Sequence, residues 1–234
     1  MSVLATRLGL ERVGAMMVWI ATLVLPVMPL RVLADECDRL PPPSVVIKRL
    51  ETPVTLDQTY SVAALRAIGP ALSRPNERVL GLTRAISRVT VETRIASYID
   101  RSGRWECASP ALTVSYGYSP LTVYVARELA AGSCAYNEVY QHELRHVQTY
   151  QARLRQIEPE ITQALQQRFV TGAVWRGPKG QTQQMLQREL DERWLPFIKR
   201  TIEQVESEQA LIDTPEEYAR VAKSCHGEIG RLLH

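Results

Sequence analysis

The sequence predicts an α+β fold in which a small antiparallel sheet is followed by a long helix and by further C-terminal helices. Stretches in the first half of the chain alternate between apolar and polar side chains, as strands with one buried face do. From Ala135 to Ile157 the apolar residues instead recur three and four positions apart, which is the spacing of one helix face. Strands are therefore expected first along the chain and helices later.

Several short elements are expected before the long helix. They are an edge strand at 44–47, a short helix at 62–68, and extended stretches at 87–99, 105–118 and 121–127. The Gly69-Pro70 pair is expected to end the short helix, and Pro110 to break the second extended stretch. After the long helix, residues 181–212 are predicted to form a second helical stretch that Pro196 interrupts.

Residues 1–34 have the layout of a secretory signal peptide. Basic Arg7 and Arg12 precede an apolar run at 13–30, and Ala34 is a suitable small residue before a cleavage point. The alternative is an uncleaved membrane anchor, but two prolines interrupt the run and shorten it below the roughly 20 residues of a spanning helix. We therefore predict cleavage after Ala34.

Cleavage would leave residues 35–234, which is enough chain for a single domain with a substantial core. No second long apolar run follows, so we expect a periplasmic or secreted protein with no membrane contact after cleavage. The full chain has 28 basic and 25 acidic residues, and 25 and 24 remain without residues 1–34. This near-neutral balance argues against a nucleic-acid partner. The oligomeric state is not predicted.

Four cysteines, Cys37, Cys107, Cys134 and Cys225, all lie in the portion predicted to be exported. An even number in an oxidising compartment indicates two disulfides, for which three connectivities are possible. No two cysteines are close enough for a Cys-x-x-Cys zinc site. We favour Cys37 with Cys107 and Cys134 with Cys225, since the second bond would join the start of the long helix to the C-terminal helix.

The long helix contains His142-Glu143-Leu144-Arg145-His146, an H-E-x-x-H motif. Residues four apart lie on one helix face, so His142 and His146 can offer two imidazole nitrogens to one zinc ion. Glu143 would stand beside the metal, where its carboxylate can act as general base toward a zinc-bound water. The motif thus predicts zinc-dependent hydrolysis, most often of a peptide bond.

Helical phase supports this interpretation of the motif. His142, Glu143 and His146 share a face with apolar residues, whereas Gln141 and Arg145 fall on the opposite face. Buried ionisable groups must be paired or must ligate something, because an unpaired buried charge is costly. The structural alternative is a solvated helix that spells the motif by chance, or a core histidine that bonds to a tyrosine.

The chain also resembles an uncharacterised family of bacterial secreted proteins described as predicted zinc-dependent proteases. The resemblance rests on the Tyr60-Ser61-Val62 helix entry, the Gly69-Pro70 stop, the strand pair around Cys107 and the H-E-x-x-H helix. It is similar, more broadly, to the zincin metallopeptidases. This resemblance implies a zincin-like fold, zinc on His142 and His146 with Glu143 as base, and a substrate-pairing strand at 121–127.

The third zinc ligand has no fixed spacing from the motif. A metzincin would have glycine and histidine where Thr149 and Ala152 stand, so that class is excluded. The Gly-Thr-x-Asp pattern of the aspartate-ligand class is also missing. A glutamate on a later helix, as in gluzincins, remains. Glu189 and Asp191 flank the apolar stripe of the second helical stretch, and Glu189 is the predicted ligand. Its structural alternative is an ion pair with Arg193 or a lysine.

One other residue is a weaker candidate for the third ligand. His226 follows Cys225 and could be held near the long helix by a disulfide, although a lone histidine there is more often a surface residue. Asp213 precedes Thr214-Pro215 and is interpreted as a helix N-cap, and therefore as structural. Zinc hydrolases also need a donor for the oxyanion. The candidates that cannot be separated by sequence are Tyr136, Tyr140, Tyr150 and Arg153.

These observations predict an exported zinc metallopeptidase with Glu143 as general base, acting on a peptide or protein substrate. One alternative is an exported zinc-binding or structural module without catalytic turnover. Another is a zinc amidase that acts on cell-wall peptide.

Overall fold

The computed structural model describes residues 35–69, 78–172 and 174–233, which belong to one compact unit. The predicted signal peptide lies outside these residues, as does Pro70 of the predicted helix stop. Among the helices in the described ranges, none combines the length and the apolar character needed to cross a bilayer.

A five-stranded sheet is organised around one long central strand. The strands are β1 (Ser44–Arg49), β2 (Val54–Asp57), β3 (Gly81–Ile99), β4 (Trp105–Val125) and β5 (Trp175–Pro178). Along one side of β4 runs β3, paired antiparallel from Gly81 opposite Val125 to Ile99 opposite Glu106. Along the other side lie β5, β1 and β2 in turn, each covering a different part of β4. Every other strand therefore depends on β4 for its hydrogen bonds.

The predicted fold class, a zincin-like fold with a small antiparallel sheet, is wrong. Both β1 and β2 run parallel to β4, while β3 and β5 run antiparallel, so the sheet of this α+β fold is mixed. The alternation of side chains shows that a segment is a strand with one buried face, but it carries no information on the direction of the neighbouring strand. The predicted break at Pro110 is also absent, since β4 is continuous from Trp105 to Val125.

The first helix lies between β2 and β3, the long helix lies between β4 and β5, and the other helices follow β5. They are α1 (Val62–Ile68), α2 (Cys134–Phe169), α3 (Thr182–Glu189), α4 (Leu195–Glu203), α5 (Glu206–Gln209), α6 (Pro215–Lys223) and α7 (Glu228–Leu233). A π-helical turn at Leu190–Trp194 joins α3 to α4, and α4 begins with Pro196 in its first turn. The predicted helical stretch at 181–212 is therefore divided into three helices.

The long helix α2 packs on one face of the sheet and makes the core with it. Its buried stripe continues past the motif through Ile157, Ile161 and Leu165, which are almost fully buried. From β4, Val114 and Tyr116 face this stripe, and the Tyr116 hydroxyl donates to the backbone oxygen of Leu154 at 2.9 Å. The sheet thus fixes the rotation of α2 about its axis, and with it the direction of the motif side chains.

Both predicted disulfides are confirmed, with the favoured pairing. Cys37 bonds to Cys107, and Cys134, the first residue of α2, bonds to Cys225, which follows α6. Each bond closes a long loop, of 70 and 91 residues in sequence separation. The two disulfides are compatible with an exported protein.

A buried carboxylate caps α3 from the start of β4. Gln181, which precedes the helix, offers no side-chain cap, but Glu106 Oε1 accepts from the Thr182 N–H at 3.0 Å and from its hydroxyl at 2.6 Å. The Thr182 hydroxyl and the N–H groups of Gly180 and Thr182 hold the pKa of Glu106 below its usual value of 4.5. The carboxylate therefore joins α3 to the sheet in its charged form.

Replacing Glu106 by glutamine should lower the free energy of unfolding by about 1–3 kcal/mol at neutral pH, because an amide cannot satisfy several N–H and O–H donors at once. Since the folded-state pKa is depressed, this contribution is complete above pH 4.5 and is lost as the pH falls through the folded value. Urea denaturation of both proteins over that range measures it. Exposed Glu92 provides the control substitution, and a difference that does not shrink in acid would contradict the expectation.

Candidate metal site

The three motif residues lie on the buried face of α2, as helical phase predicts. Exposure is 8 % for His142, 5 % for Glu143 and 8 % for His146, and the helix residues Val139 and Val147 beside them are buried as well. The helix begins where Ser133 accepts a hydrogen bond from the Tyr136 N–H, so the motif starts about two turns into regular helix. Their backbone is therefore rigid, and their side chains are directed inward.

Asp213 lies against the two histidines, and three ligand-type atoms converge. His142 Nε2 is 3.1 Å from Asp213 Oδ1, His146 Nε2 is 3.2 Å from the same oxygen, and the two Nε2 atoms are 3.3 Å apart. Ligand atoms bound at about 2.0–2.1 Å to a tetrahedral zinc ion are about 3.3–3.4 Å apart. The near-equilateral triangle of donor atoms thus has close to the edge lengths of one face of a zinc tetrahedron.

Asp213 is not the helix N-cap that its sequence context suggested. The cap of α6 is Thr214, whose hydroxyl oxygen accepts from the Glu217 N–H at 3.2 Å. The carboxylate of Asp213 is therefore free to turn toward α2. Burial acts to raise the pKa of Asp213, but the hydrogen bonds from His142 and His146 outweigh it and hold the pKa well below the usual range. The group is an anion beside two imidazoles.

The structure does not bring Glu189 to this site. Both of its carboxylate oxygens bond to Arg168, at 2.7 and 2.6 Å, and one also accepts from Trp194 Nε1 at 3.0 Å. Glu189 therefore forms an ion pair, which was the structural alternative for this residue, but its partner is Arg168 and not Arg193. Within the described residues, only His142, His146 and Asp213 form a group of three that could hold a metal ion, so His226 and Asp191 are outside it as well.

Gln209 fixes which nitrogen of His146 faces the site. The Gln209 amide nitrogen donates to the backbone oxygen of His146 at 3.2 Å, so its Oε1 must be the atom 2.6 Å from His146 Nδ1. An amide oxygen only accepts, and Nδ1 is therefore the protonated nitrogen. In neutral His146, Nε2 consequently carries its lone pair toward the triangle, as a metal ligand requires.

His142 is held by a charged network that joins α6 to α2. Glu217 Oε1 lies 3.3 Å from His142 Nδ1 and accepts from Arg220 at 2.8 Å and from Arg145. Arg220 also pairs with Glu138 of α2 at 2.6 Å. The bonds from Arg220 and Arg145 keep the pKa of Glu217 well below its usual range, although partial burial acts against them. Glu217 is thus a fixed anion behind His142.

Glu143 is oriented by the first residues of β3. The Thr83 hydroxyl donates to Glu143 Oε2 at 2.8 Å and lies 3.0 Å from the Glu143 backbone oxygen. A Cβ atom at Gly81 would stand only 2.6 Å from Glu143 Oε1 and from a methyl of Val139, so only glycine leaves room for the carboxylate. Burial raises the pKa of Glu143, while the nearby His146 and His142 act to lower it.

The strand expected to pair with substrate is enclosed instead. Residues 121–124 of β4 are bonded to β2 on one side and to β3 on the other, so their backbone groups are occupied. The strand beside Glu143 is β3, whose outer edge has no paired strand within the described residues. Two surface cavities lie farther along α2, and neither is lined by the metal-site residues.

No family model matches the chain, and no curated protein or solved structure is significantly similar to it. The resemblance to a family of predicted zinc-dependent proteases therefore stays a prediction.

Sequence reasoning missed Asp213 although a signal was available. Proline favours the first helical position, so Pro215 makes Thr214 the residue before the helix and leaves Asp213 outside the cap. The supporting residues Gln209, Glu217 and Thr83 carry no such signal, because each acts from a separate element more than 55 residues from the motif residue it contacts.

Replacing Asp213 by alanine should weaken zinc binding more than about 100-fold, since even residues that only support metal ligands contribute about 10- to 100-fold. Competition with a fluorescent chelator measures the affinity. Glu189→Gln is the matched control and should bind zinc like the wild type, because Glu189 pairs with Arg168. The opposite order of the two variants would show that the third ligand is Glu189.

Replacing Gln209 by leucine should weaken zinc binding by about 10- to 100-fold, because His146 would lose the acceptor that fixes its protonated nitrogen. The same chelator competition checks this value. Gln204→Leu is a suitable control, since Gln204 bonds to Arg153 and not to a histidine. Unchanged affinity in Gln209→Leu would contradict the assigned role.

Proposed function

We propose that the protein is a zinc-dependent hydrolase that cleaves peptide bonds, with His142, His146 and Asp213 as the zinc ligands. The observation that carries this proposal is the triangle of 3.1–3.3 Å formed by their donor atoms on the buried side of α2. Three protein ligands of nitrogen and oxygen type are the donor set of catalytic zinc, which keeps a fourth position open. Structural zinc sites are usually closed by four protein ligands.

A bound zinc ion would lower the pKa of a water molecule toward neutrality and polarise a carbonyl oxygen. Glu143 is the residue that accepts the proton of the attacking water and then delivers it to the departing amide nitrogen. Thr83 and Gly81 keep its carboxylate on the side of the histidines during both transfers. Hydrolysis then adds the hydroxyl of water to the carbonyl carbon, and the peptide C–N bond breaks.

A peptide is the substrate that best suits the surroundings of Glu143. Gly81 and Thr83, which touch Glu143, belong to β3, and the outer edge of β3 carries no described strand. An extended peptide can add to such an edge through backbone hydrogen bonds. We further propose that the protein acts in the periplasm or outside the cell, which the two disulfides support.

Replacing Glu143 by glutamine should leave zinc content unchanged and lower the hydrolysis rate by about 10²- to 10⁴-fold, since the amide cannot accept the proton. Metal analysis and a panel of fluorogenic peptides that includes cell-wall peptides provide the measurements. Glu158→Gln on the same helix is the control, because Glu158 pairs with Arg49 and should not affect the rate.

The panel also separates the alternatives. Zinc bound at one ion per chain without cleavage of any peptide would favour the non-catalytic zinc-binding module. Cleavage of cell-wall peptides alone would favour the amidase. Equal rates for wild type and Glu143→Gln would remove Glu143 from the reaction.

A further inference from the structure

Tyr150 continues the motif face of α2 one turn beyond His146. It is 9 % exposed, and its ring makes an edge-to-face contact with Tyr118 of β4 at 4.7 Å between ring centres. Side chains on a helix lean toward its N-terminus, so the Tyr150 side chain is expected to extend back toward the turn that begins at His146. Its position is therefore set both by the helix and by the sheet.

The hydroxyl of Tyr150 differs from those of the neighbouring buried tyrosines. Tyr116 donates to the backbone oxygen of Leu154 at 2.9 Å, and Tyr118 donates to that of Ile202 at 3.2 Å. Tyr150 has no hydrogen-bond partner in the part of the chain that the structure describes, yet its oxygen is not among the buried atoms cut off from solvent. A buried phenol normally finds a partner, so this donor is available to a molecule that enters from solvent.

Burial and nearby carboxylates keep the Tyr150 phenol in its neutral form. Burial raises the pKa of Tyr150 to about 12, and the carboxylates of Glu206, Asp213 and Glu143 add to the rise. Two of these three carboxylates belong to the proposed zinc site. The phenol stays protonated at neutral pH, so it can act only as an uncharged hydrogen-bond donor or acceptor.

Of the other candidates for an oxyanion donor, Arg153 is engaged elsewhere, and the two tyrosines precede the motif. Arg153 bonds through its terminal nitrogens to Glu208, to the Thr201 backbone oxygen and to Gln204. Tyr136 and Tyr140 stack on each other, at 5.9 Å between ring centres, in the part of α2 that precedes the motif.

We propose that the Tyr150 hydroxyl is a catalytic hydrogen-bond donor, which bonds to the substrate carbonyl oxygen as negative charge builds on it during hydrolysis. The inference rests on the proposed function and adds to it the group that stabilises the transition state. Water attacks the carbonyl carbon, the C=O electron pair moves to the oxygen, and the Tyr150 O–H meets that charge without giving up its proton. The electron pair on the oxygen re-forms the C=O bond when the C–N bond breaks, and the bonding electrons of the C–N bond leave with the nitrogen.

The first test compares Tyr150→Phe with Tyr118→Phe. Removing one oxyanion donor typically lowers kcat by about 10²- to 10³-fold, and we expect Tyr150→Phe to show this with KM changed less than about twofold and zinc content unchanged. Tyr118→Phe is the control because its ring packs against that of Tyr150, while its hydroxyl donates to a backbone oxygen. It should lose some stability and keep kcat. Equal kcat in wild type and Tyr150→Phe would overturn the proposal.

The second test needs no turnover. Acetohydroxamate binds zinc through its oxygens, and its affinity for the zinc-loaded proteins can be measured by titration calorimetry. Tyr150→Phe should bind it about tenfold more weakly than wild type, since one hydrogen bond to an anionic oxygen is lost, and Tyr118→Phe should bind it normally. Tyr150→Phe could bind acetohydroxamate more weakly while the wild type hydrolyses no peptide. That result would support Tyr150 as a hydrogen-bond donor beside the metal and would reject the proposed hydrolase activity. Equal binding in all three proteins would overturn the role of Tyr150.

Discussion

Two imidazole nitrogens and one carboxylate oxygen converge on the buried side of α2, and the C-terminal third of the chain is arranged around them. Gln209 accepts the Nδ1 proton of His146, and Nε2 of the same ring lies 3.2 Å from Asp213 Oδ1. Electron-pair donors placed this close repel each other unless a proton or a cation lies between them. A proton or a cation between these atoms would stabilise the site, and each supporting element helps to hold the geometry that receives it.

The support comes from both sides of α2. From the sheet side, β3 supplies Thr83 and the space at Gly81, so Glu143 is fixed by a strand and not by a loop. From the C-terminal side, Asp213 arrives between α5 and α6, and Glu217 and Arg220 tie α6 to the motif helix through charged bonds. The Cys134–Cys225 disulfide joins the same two segments covalently. A site on rigid elements keeps its geometry better than one on free loops.

The mixed sheet also determines how the site can be approached. Because residues 121–124 of β4 are paired with β2 on one side and β3 on the other, the segment predicted to bind substrate has no free backbone edge. The exposed edge belongs to β3, which also contacts Glu143, so the same strand orients the acid–base residue and leaves backbone groups unpaired within the described residues. Position along the chain was a poor guide to the position of an edge, because edges are a property of the complete sheet.

The sequence by itself determined what depends on local spacing. His142, Glu143 and His146 share a helix face because 3.6 residues make one turn, and the apolar positions around them already direct that face inward. The number of cysteines and their predicted compartment likewise pointed to two disulfides, and proline at the first helical position marked the start of α6. Only the tertiary structure decided the direction of β1 and β2 and the choice of Asp213 over Glu189 as the carboxylate beside the histidines. Asp213 is 67 and 71 residues from the two histidines, and no local rule of backbone geometry extends across such a separation.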